Sequence, residues 1–389
     1  MEVTGFIAGK IRFKGKVAMV SIAVSFFVMI LAVSVSSGFR EKIRDGISSF
    51  SGDVQLTPPD MNYVSENSSL PSKPSYLSEI ENIPGVTDVH PAVYRAGVVK
   101  NGEAIHGVLF KGVENYADSL SGLRVSIPRR LSSLLKMGEG DSFQAYFVGE
   151  RVKVRKFTIT SVYDSPVQVD ESLMVFASLE DMRRLNGWDD GEASVLEVTL
   201  DEAHRDVVPM KDVTGHIGMT ALLATPDDES APVAQSMMDK YPQLFDWLNL
   251  IDFNVLFILL LMTIVAGFNM ISGLLILLFR SISTIGTLKS MGMTDRSISM
   301  VFLKVSSNLV LKGMLIGNAL AFLFCIIQSQ THLIKLDPAN YFLSYVPVTV
   351  NVPVVLVADA AAYLMIMLLL LIPTKFIARV DPAQTVRAQ

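Results

Sequence analysis

Two long stretches without a single charged residue constrain this chain more than anything else in it. Val17–Phe39 and Phe253–Phe279 contain no Asp, Glu, Lys or Arg. Each is longer than the roughly 20 residues an α-helix needs to cross the hydrocarbon core of a bilayer. Val305–Ile327 is a third apolar run, interrupted only by Lys312, and Val352–Ile372 a fourth, interrupted only by Asp359. Four crossings put both ends of the chain on one side. Composition agrees: 18% of the residues are charged, against about 25% in ordinary soluble domains, and mean hydropathy is +0.42.

Flanking charge sets the orientation, because cytoplasmic flanks carry the excess of Lys and Arg. Lys10, Arg12, Lys14 and Lys16 precede the first run, Arg280, Lys289, Arg296 and Lys304 lie between the second and third, and Lys375, Arg379 and Arg387 follow the fourth. The loop between the third and fourth holds only Lys335, offset by Asp337. The expected layout is a cytoplasmic N-terminus (1–16), spans at 17–39, 253–279, 300–328 and 352–373, an outer domain (40–252), a cytoplasmic connection (280–299), an outer loop (329–351) and a cytoplasmic tail (374–389). A cleaved signal peptide is the alternative for the first run, since "VSVSSGFR" offers small residues. Its apolar core, however, exceeds the usual 7–15 residues of such a segment. Lys312 reads as snorkelling to the cytoplasmic headgroups. A Lys312–Asp359 pair is discounted, because the two differ in depth by about two helical turns.

Several function classes are excluded or disfavoured. The net charge of −5 and the lack of a basic block argue against a nucleic-acid partner. One cysteine, Cys325, permits no intrachain disulfide. The five histidines are scattered without ligand spacing, so no metal site is expected. There is no P-loop, no G-x-S-x-G and no H-E-x-x-H. In "VDES", Asp170 and Glu171 are adjacent, and neighbouring side chains on a strand point to opposite faces. The chain reads as a non-enzyme.

The outer segment reads as α+β. "GFREKIRDGISSF" has Phe39, Ile43, Ile47 and Phe50 on one helical stripe, continuing the first span outward. Strands are expected in "DVQLT", "VTDVHPAVYRAGVVK", "AIHGVLFKGV", "SFQAYFVG", "VKVRKFTITSVY", "SLMVFA", "SVLEVTL" and "TALLAT". Helices are expected in "PRRLSSLLKMG", with Gly138 as its stop, in "SLEDMRRLNG", with Ser178 and Asp181 at capping-box spacing, and from about Val233 to Leu250. The fold class is an α-helical membrane protein with four transmembrane helices and an α+β periplasmic domain between helices 1 and 2.

"RSISTIGTLKSMGMTDRSIS" (280–299) predicts a short helix between two spans. Ile282, Ile285, Leu288 and Met291 recur every three residues, Gly292 suits a left-handed stop, and Thr294 or Asp295 caps the next helix. By itself this fits either an interfacial anchor or a docking knob for a soluble partner.

The same stretch resembles the signature of the FtsX-like, MacB-like (type VII) ABC permeases, in which "I-G-x-L-(K/R)-x-(M/L)-G" forms a coupling helix seated in a groove of the ATPase. Gly286, Leu288, Lys289, Met291 and Gly292 match this core, and together with Arg280, Ile282, Ile285 and Arg296 they are the residues the resemblance implies for ATPase coupling. "SGFREKIRDGISSFSGDVQL", "IPGVTDVHPAV", "VYDSPVQVDESLMVFASLEDMRRL" and the tail "DPAQTVR" are similar to other parts of the family, and "LDPANYFLSYVPVTV" resembles the lipoprotein-releasing (Lol-type) branch. The resemblance implies two permease chains, as homo- or heterodimer, bound to two copies of a P-loop ATPase that supplies ATP and magnesium, with no cofactor on this chain. It implies a lipoprotein substrate leaving the bacterial inner membrane for a periplasmic carrier. Acyl chains need an apolar lining, for which Phe26, Met29, Ile30, Val33, Ile43, Ile47, Phe253 and Phe257 are candidates. A carrier-gripping hairpin of one branch member, expected after the "LED" helix, is here only "NGWDDGEAS" (Asn186–Ser194), a short turn that argues against direct carrier recruitment by this chain. An efflux permease and a mechanotransmitter that activates a cell-wall hydrolase are the alternatives within the family.

Overall fold

A computed structural model describes residues 16–114, 120–149, 151–165, 167, 173–226 and 230–375. Lys10, Arg12, Lys14, "VDES", Arg379 and the tail with Arg387 lie outside these. In chain order the elements are α1 (Lys16–Ser51), β1 (Val54–Thr57), β2 (Leu70–Pro71), α2 (Leu77–Glu81), β3 (Val86–Asn101), β4 (Ala104–Val113), β5 (Arg124–Pro128), α3 (Arg129–Leu135), β6 (Ser142–Phe147), β7 (Lys153–Tyr163), β8 (Met174–Ser178), α4 (Leu179–Asn186), β9 (Glu192–Ala193) and β10 (Val195–Leu200). A 3₁₀ turn at Glu202–His204 follows, then α5 (Val207–Ala224), β11 (Val233–Ser236), α6 (Met237–Lys240), α7 (Pro242–Arg280), α8 (Ile282–Ser290), α9 (Asp295–Thr331), α10 (Pro338–Tyr341), α11 (Val352–Leu369) and α12 (Leu371–Thr374). The chain divides into a helical unit (Met1–Glu41, Trp247–Lys335, Tyr345–Gln389) and a β-rich unit (Lys42–Asp246, Leu336–Ser344).

Among the described residues, four helices are long and apolar enough to cross a membrane: Lys16–Ser51, Pro242–Arg280, Asp295–Thr331 and Val352–Thr374. Their inward faces form one apolar core, with Ile22, Phe26 and Met29 of α1 packed among Met270, Leu274, Phe302, Val310 and Ile366. Much of the remaining surface is exposed Leu, Ile, Val and Phe, as expected of helices whose outer solvent is lipid. Small residues set the closest approaches. A Cβ at Gly313 would stand 2.7 Å from Ile22 Cγ2, and one at Gly317 would meet the Ala23 carbonyl and Phe26. "GMLIGNALA" is thus a small-residue seam on which α9 meets α1. Gly38 does the same for the return segment, lying against the Pro347 carbonyl. Thr349 N–H donates to Ser34 O (3.0 Å), and Gln328 Nε2 donates to Val346 O (3.0 Å). The "VPV" stretch is therefore a strap across α1 and α9.

Inside the bundle Asn318 Nδ2 donates to Asp359 Oδ2 at 2.5 Å, while Lys312 is exposed. The discounted Lys312–Asp359 pair does not form.

In the β-rich unit, β3, β4, β8, β5, β7 and β6 pair in that order, and β3 pairs β6 again, which closes a six-stranded barrel. β4–β8 and β5–β7 are parallel. Its interior is filled by Phe110, Phe143, Phe147, Phe157, Val99, Ile127 and Val175. The Phe110 and Phe147 centroids are 4.9 Å apart. β3 is long enough to serve two sheets: its first half also pairs β10, which continues through β1 to β11. α4 covers one end of the barrel with Leu179, Met182 and Leu185.

Three local expectations are corrected. "TALLAT" is the end of α5 rather than a strand, because Met210, Val213, Ile217 and Ala221 form a buried stripe of helical period that a six-residue window does not reveal. The segment read as one helix from about Val233 begins as β11, which pairs β1, before α6 and α7. α3 stops at Lys136, in the left-handed region (φ 53°), not at Gly138. The α4 capping box is half formed. Ser178 Oγ accepts from Asp181 N–H (3.3 Å), but Asp181 Oδ2 accepts from Leu123 N–H (2.8 Å). After α4, "NGWDDGEAS" is a pinned turn: Arg183 Nε donates to Glu192 O (2.7 Å) and Trp188 Nε1 to Glu66 O (2.9 Å).

Candidate functional site

α8 is built by its two ends. α7 stops at Arg280, Ser281 separates it from α8, and the far end of α8 is a full Schellman motif. Gly292 takes φ 91°, its N–H donates to Lys289 O (2.9 Å), and Met293 N–H donates to Leu288 O (3.0 Å). These bonds satisfy carbonyls a helix end leaves open. Thr294 then caps α9, its Oγ1 accepting from Ser297 N–H (3.3 Å). The chain therefore reverses within a few residues.

The faces of α8 differ from a simple apolar stripe. Ile285 and Gly286 are buried, and Ile285 joins the bundle core beside Leu277, Leu278, Ile298 and Phe302. Ile282 and Leu288 are half-buried, Leu288 packing against the same core. Met291 turns away and is 78% exposed. Ser283, Thr284, Thr287 and Ser290 are exposed, as are Arg280, Gly292 and Arg296 at the two ends. Lys289 is half-buried, its Nζ 2.8 Å from Asp295 Oδ1. The outward surface of α8 is thus hydroxyl-rich, with one projecting methionine. Repetition of Ile and Leu every three residues marked the inward face; the outward face carried no comparable signal.

The acyl-lining candidates differ in their local surroundings. Phe26 and Met29 are buried in the bundle core, and Ile30 and Val33 in a neighbouring cluster with Ala321 and Val355. Ile43 and Ile47 are buried within the β-rich unit. Phe253 and Phe257 are 66% and 60% exposed and share a stripe of α7 with Leu256 and Leu260. Near them Arg40 and Ser36 of α1 both donate to Asp252 of α7.

A feature that sequence reading missed lies in the β-rich unit. Glu197 of β10 is fully buried and bonded from several sides. Lys111 Nζ donates to its Oε2 (2.7 Å), Tyr94 Oη to its Oε1 (2.5 Å), and His90 Nε2 stands 3.1 Å from Oε2. Burial opposes the charge on Glu197, but the Lys111 ammonium and the bonds from His90 and Tyr94 hold its carboxyl well below the ordinary range. The bond to Glu197 raises His90 above its usual value despite burial. A cavity of about 920 Å³ opens beside this group, lined among others by Phe50, His90, Phe176, Tyr163 and Arg205. No group of three or more His, Cys, Asp or Glu among the described residues is arranged to hold a metal ion.

Residues 17–237, more than half of the chain, match the MacB-like periplasmic core domain, and residues 256–382 match the FtsX-like permease C-terminal domain. The chain belongs to the FtsX-like, MacB-like permeases. Members of this family are permease subunits of ABC transporters, membrane chains that work with an ATPase. The permease is 23% identical to the lipoprotein-releasing system transmembrane protein LolC of Xylella fastidiosa, in both strain Temecula1 and strain 9a5c, over 97% of this chain and 95% of each relative. Among solved structures it is similar to the periplasmic region of MacB from Actinobacillus actinomycetemcomitans (12% identity, 50% of this chain and 92% of that one, TM-score 0.31). It is also similar to the extracellular domain of YknZ from Gram-positive bacteria (13% identity, 47% and 97%, TM-score 0.29).

Proposed function

We propose that this permease is the membrane subunit of a lipoprotein-releasing ABC transporter of the bacterial inner membrane. In this reading both termini and α8 face the cytoplasm and the β-rich unit faces the periplasm. Two permease chains bind two copies of a separate ATPase, which holds ATP and magnesium. Closure of the ATPases pushes on α8, and α1 and α7 carry that movement outward to a lipidated substrate.

One observation supports α8 as the docking element. An interfacial anchor buries its apolar face toward the acyl chains and leaves its polar face at the headgroups. Here Ile285 and Leu288 pack inward and hydroxyls face out, which suits a wet protein surface better than a membrane. The near full-length similarity to LolC supports lipoprotein release over efflux.

The α1 candidates are occupied in packing, so the acyl chains are assigned to the exposed α7 stripe of Phe253, Leu256, Phe257 and Leu260. Transferring them costs about 0.8 kcal/mol per CH₂ exposed to water, which is why an apolar track is needed. Cross-linking in native membranes, purification of the permease and mass spectrometry test the assembly. A P-loop ATPase with acylated proteins is the expected outcome; an ATPase with an outer-membrane channel, or with a cell-wall hydrolase, would replace this reading.

A further inference from the structure

The C-terminal end of α1 is held by side chains of the β-rich unit in an unusual way. A helix end leaves its last carbonyls without intrahelical partners and attracts cations. Here Lys111 of β4 donates to Phe50 O (2.5 Å) and Gln55 Nε2 of β1 donates to Ser51 O (2.9 Å). Lys111 is itself buried, and its charge is met by Glu197, also buried. Gln55 is bound in turn by Lys240 Nζ (3.1 Å). One end of one helix is therefore tied to β1, β4 and β10.

A buried ion pair adds little stability over a well-packed apolar pair, and positional specificity is its better-attested use. His90 adds a second feature. It sits directly across from Glu197 in the β3–β10 register, and among Lys111, Glu197 and His90 its side chain is the most exposed, at 31%. Its ring faces Glu197 at 3.1 Å and Asp88 of its own strand at 3.5 Å. Lys111 of β4, Asp45 of α1, Glu114 after β4 and Arg205 after β10 line the same cavity. Arg205 is paired with Asp53 and Asp45. A proton on the ring thus meets two close carboxylates.

We propose that Lys111, Glu197 and His90 form a proton-responsive clamp that fastens the end of α1 to the outer-domain strands. Lys111 and Glu197 are positioning residues for movement carried along α1, which rests on the reading above that α1 transmits the ATPase stroke. The occupant of the clamp is the helix end, and the proton tightens the grip.

The test is hydrogen exchange of the full-length permease in lipid nanodiscs, at about pH 6 and about pH 8, with rates corrected for intrinsic pH dependence. Lys111→Met/Glu197→Met removes both charges together, so neither is left buried alone. Expected is a loss of protection of about tenfold or more over residues 48–55, with the β7 amides unchanged, and recovery of protection in Lys111→Arg. The wild type is expected to be better protected at the lower pH, and His90→Gln to abolish that difference. Unchanged protection at 48–55 in the double variant, or a pH difference that survives His90→Gln, would overturn the clamp. The same variants are then assayed for function in cells. A loosened helix end with full function overturns the transmission role and leaves the permease reading standing. A wild type that moves no lipoprotein overturns that reading, while the exchange data still decide the clamp.

Discussion

Gly317 of α9 lies against the backbone carbonyl of Ala23 in α1, with no room for a side chain between them. With Gly313 one turn earlier facing Ile22, it fixes how closely the two helices approach. In a bilayer, where burial of apolar surface gives little advantage, such close packing is the main source of helix association. Gly317→Val is expected to destabilise the bundle by about 1–3 kcal/mol, as overpacking does. Thermal unfolding in detergent checks this, with Gly107→Ala, where an added Cβ meets open space, as a control that stays near wild type.

The outward face of α8 should tolerate change in folding but not in coupling. Thr287→Trp places bulk on an exposed hydroxyl position and is expected to leave the protein inserted while abolishing co-purification of the ATPase. Gly286→Trp and Lys289→Glu are poorer probes. Gly286 is buried, and Lys289 pairs with Asp295, so either change also disturbs the permease itself. Wild-type ATPase recovery with Thr287→Trp would remove α8 from the docking surface.

Inside the bundle, Asp359 is buried and takes a bond from Asn318. Asn318→Leu leaves that carboxyl without its donor and is expected to cost about 1–3 kcal/mol. Asp359→Asn keeps a polar partner and should cost less. The order of the two melting temperatures is the measurement; the reverse order would contradict the pairing.

The pH dependence follows from the sign of the His90 shift. Its folded value is raised, chiefly by the bond to Glu197. Its contribution to stability is therefore complete below the unfolded value of about 6.5 and is lost as pH rises through the folded value. The difference in melting temperature between wild type and His90→Gln should shrink from about pH 6 to about pH 8. A constant difference would show that His90 does not titrate against Glu197.

Much of this was legible in the amino-acid pattern, for physical reasons. Uncharged runs such as Val17–Phe39 are too long to be anything but spans or buried helices, and Gly292 before Thr294 marks one helix stop and the next start. What was not legible depends on partners distant in sequence. Phe26 and Ile30 look equally suited to a lipid cavity or a core until α9 is seen against them. Glu197 and Lys111 are ordinary strand residues until β3, β4 and β10 bring them together. Met291 fitted the apolar stripe by spacing, yet each three-residue step falls about 60° short of a full helical turn, so two steps past Ile285 it lies off the buried face and is exposed.

Lipoprotein release by this permease is tested by depleting it in living cells and following one lipid-anchored, outward-bound protein through membrane fractionation. The lipidated protein is expected to accumulate in the inner membrane as the permease disappears. An unchanged distribution between membranes, with the permease gone, would contradict it.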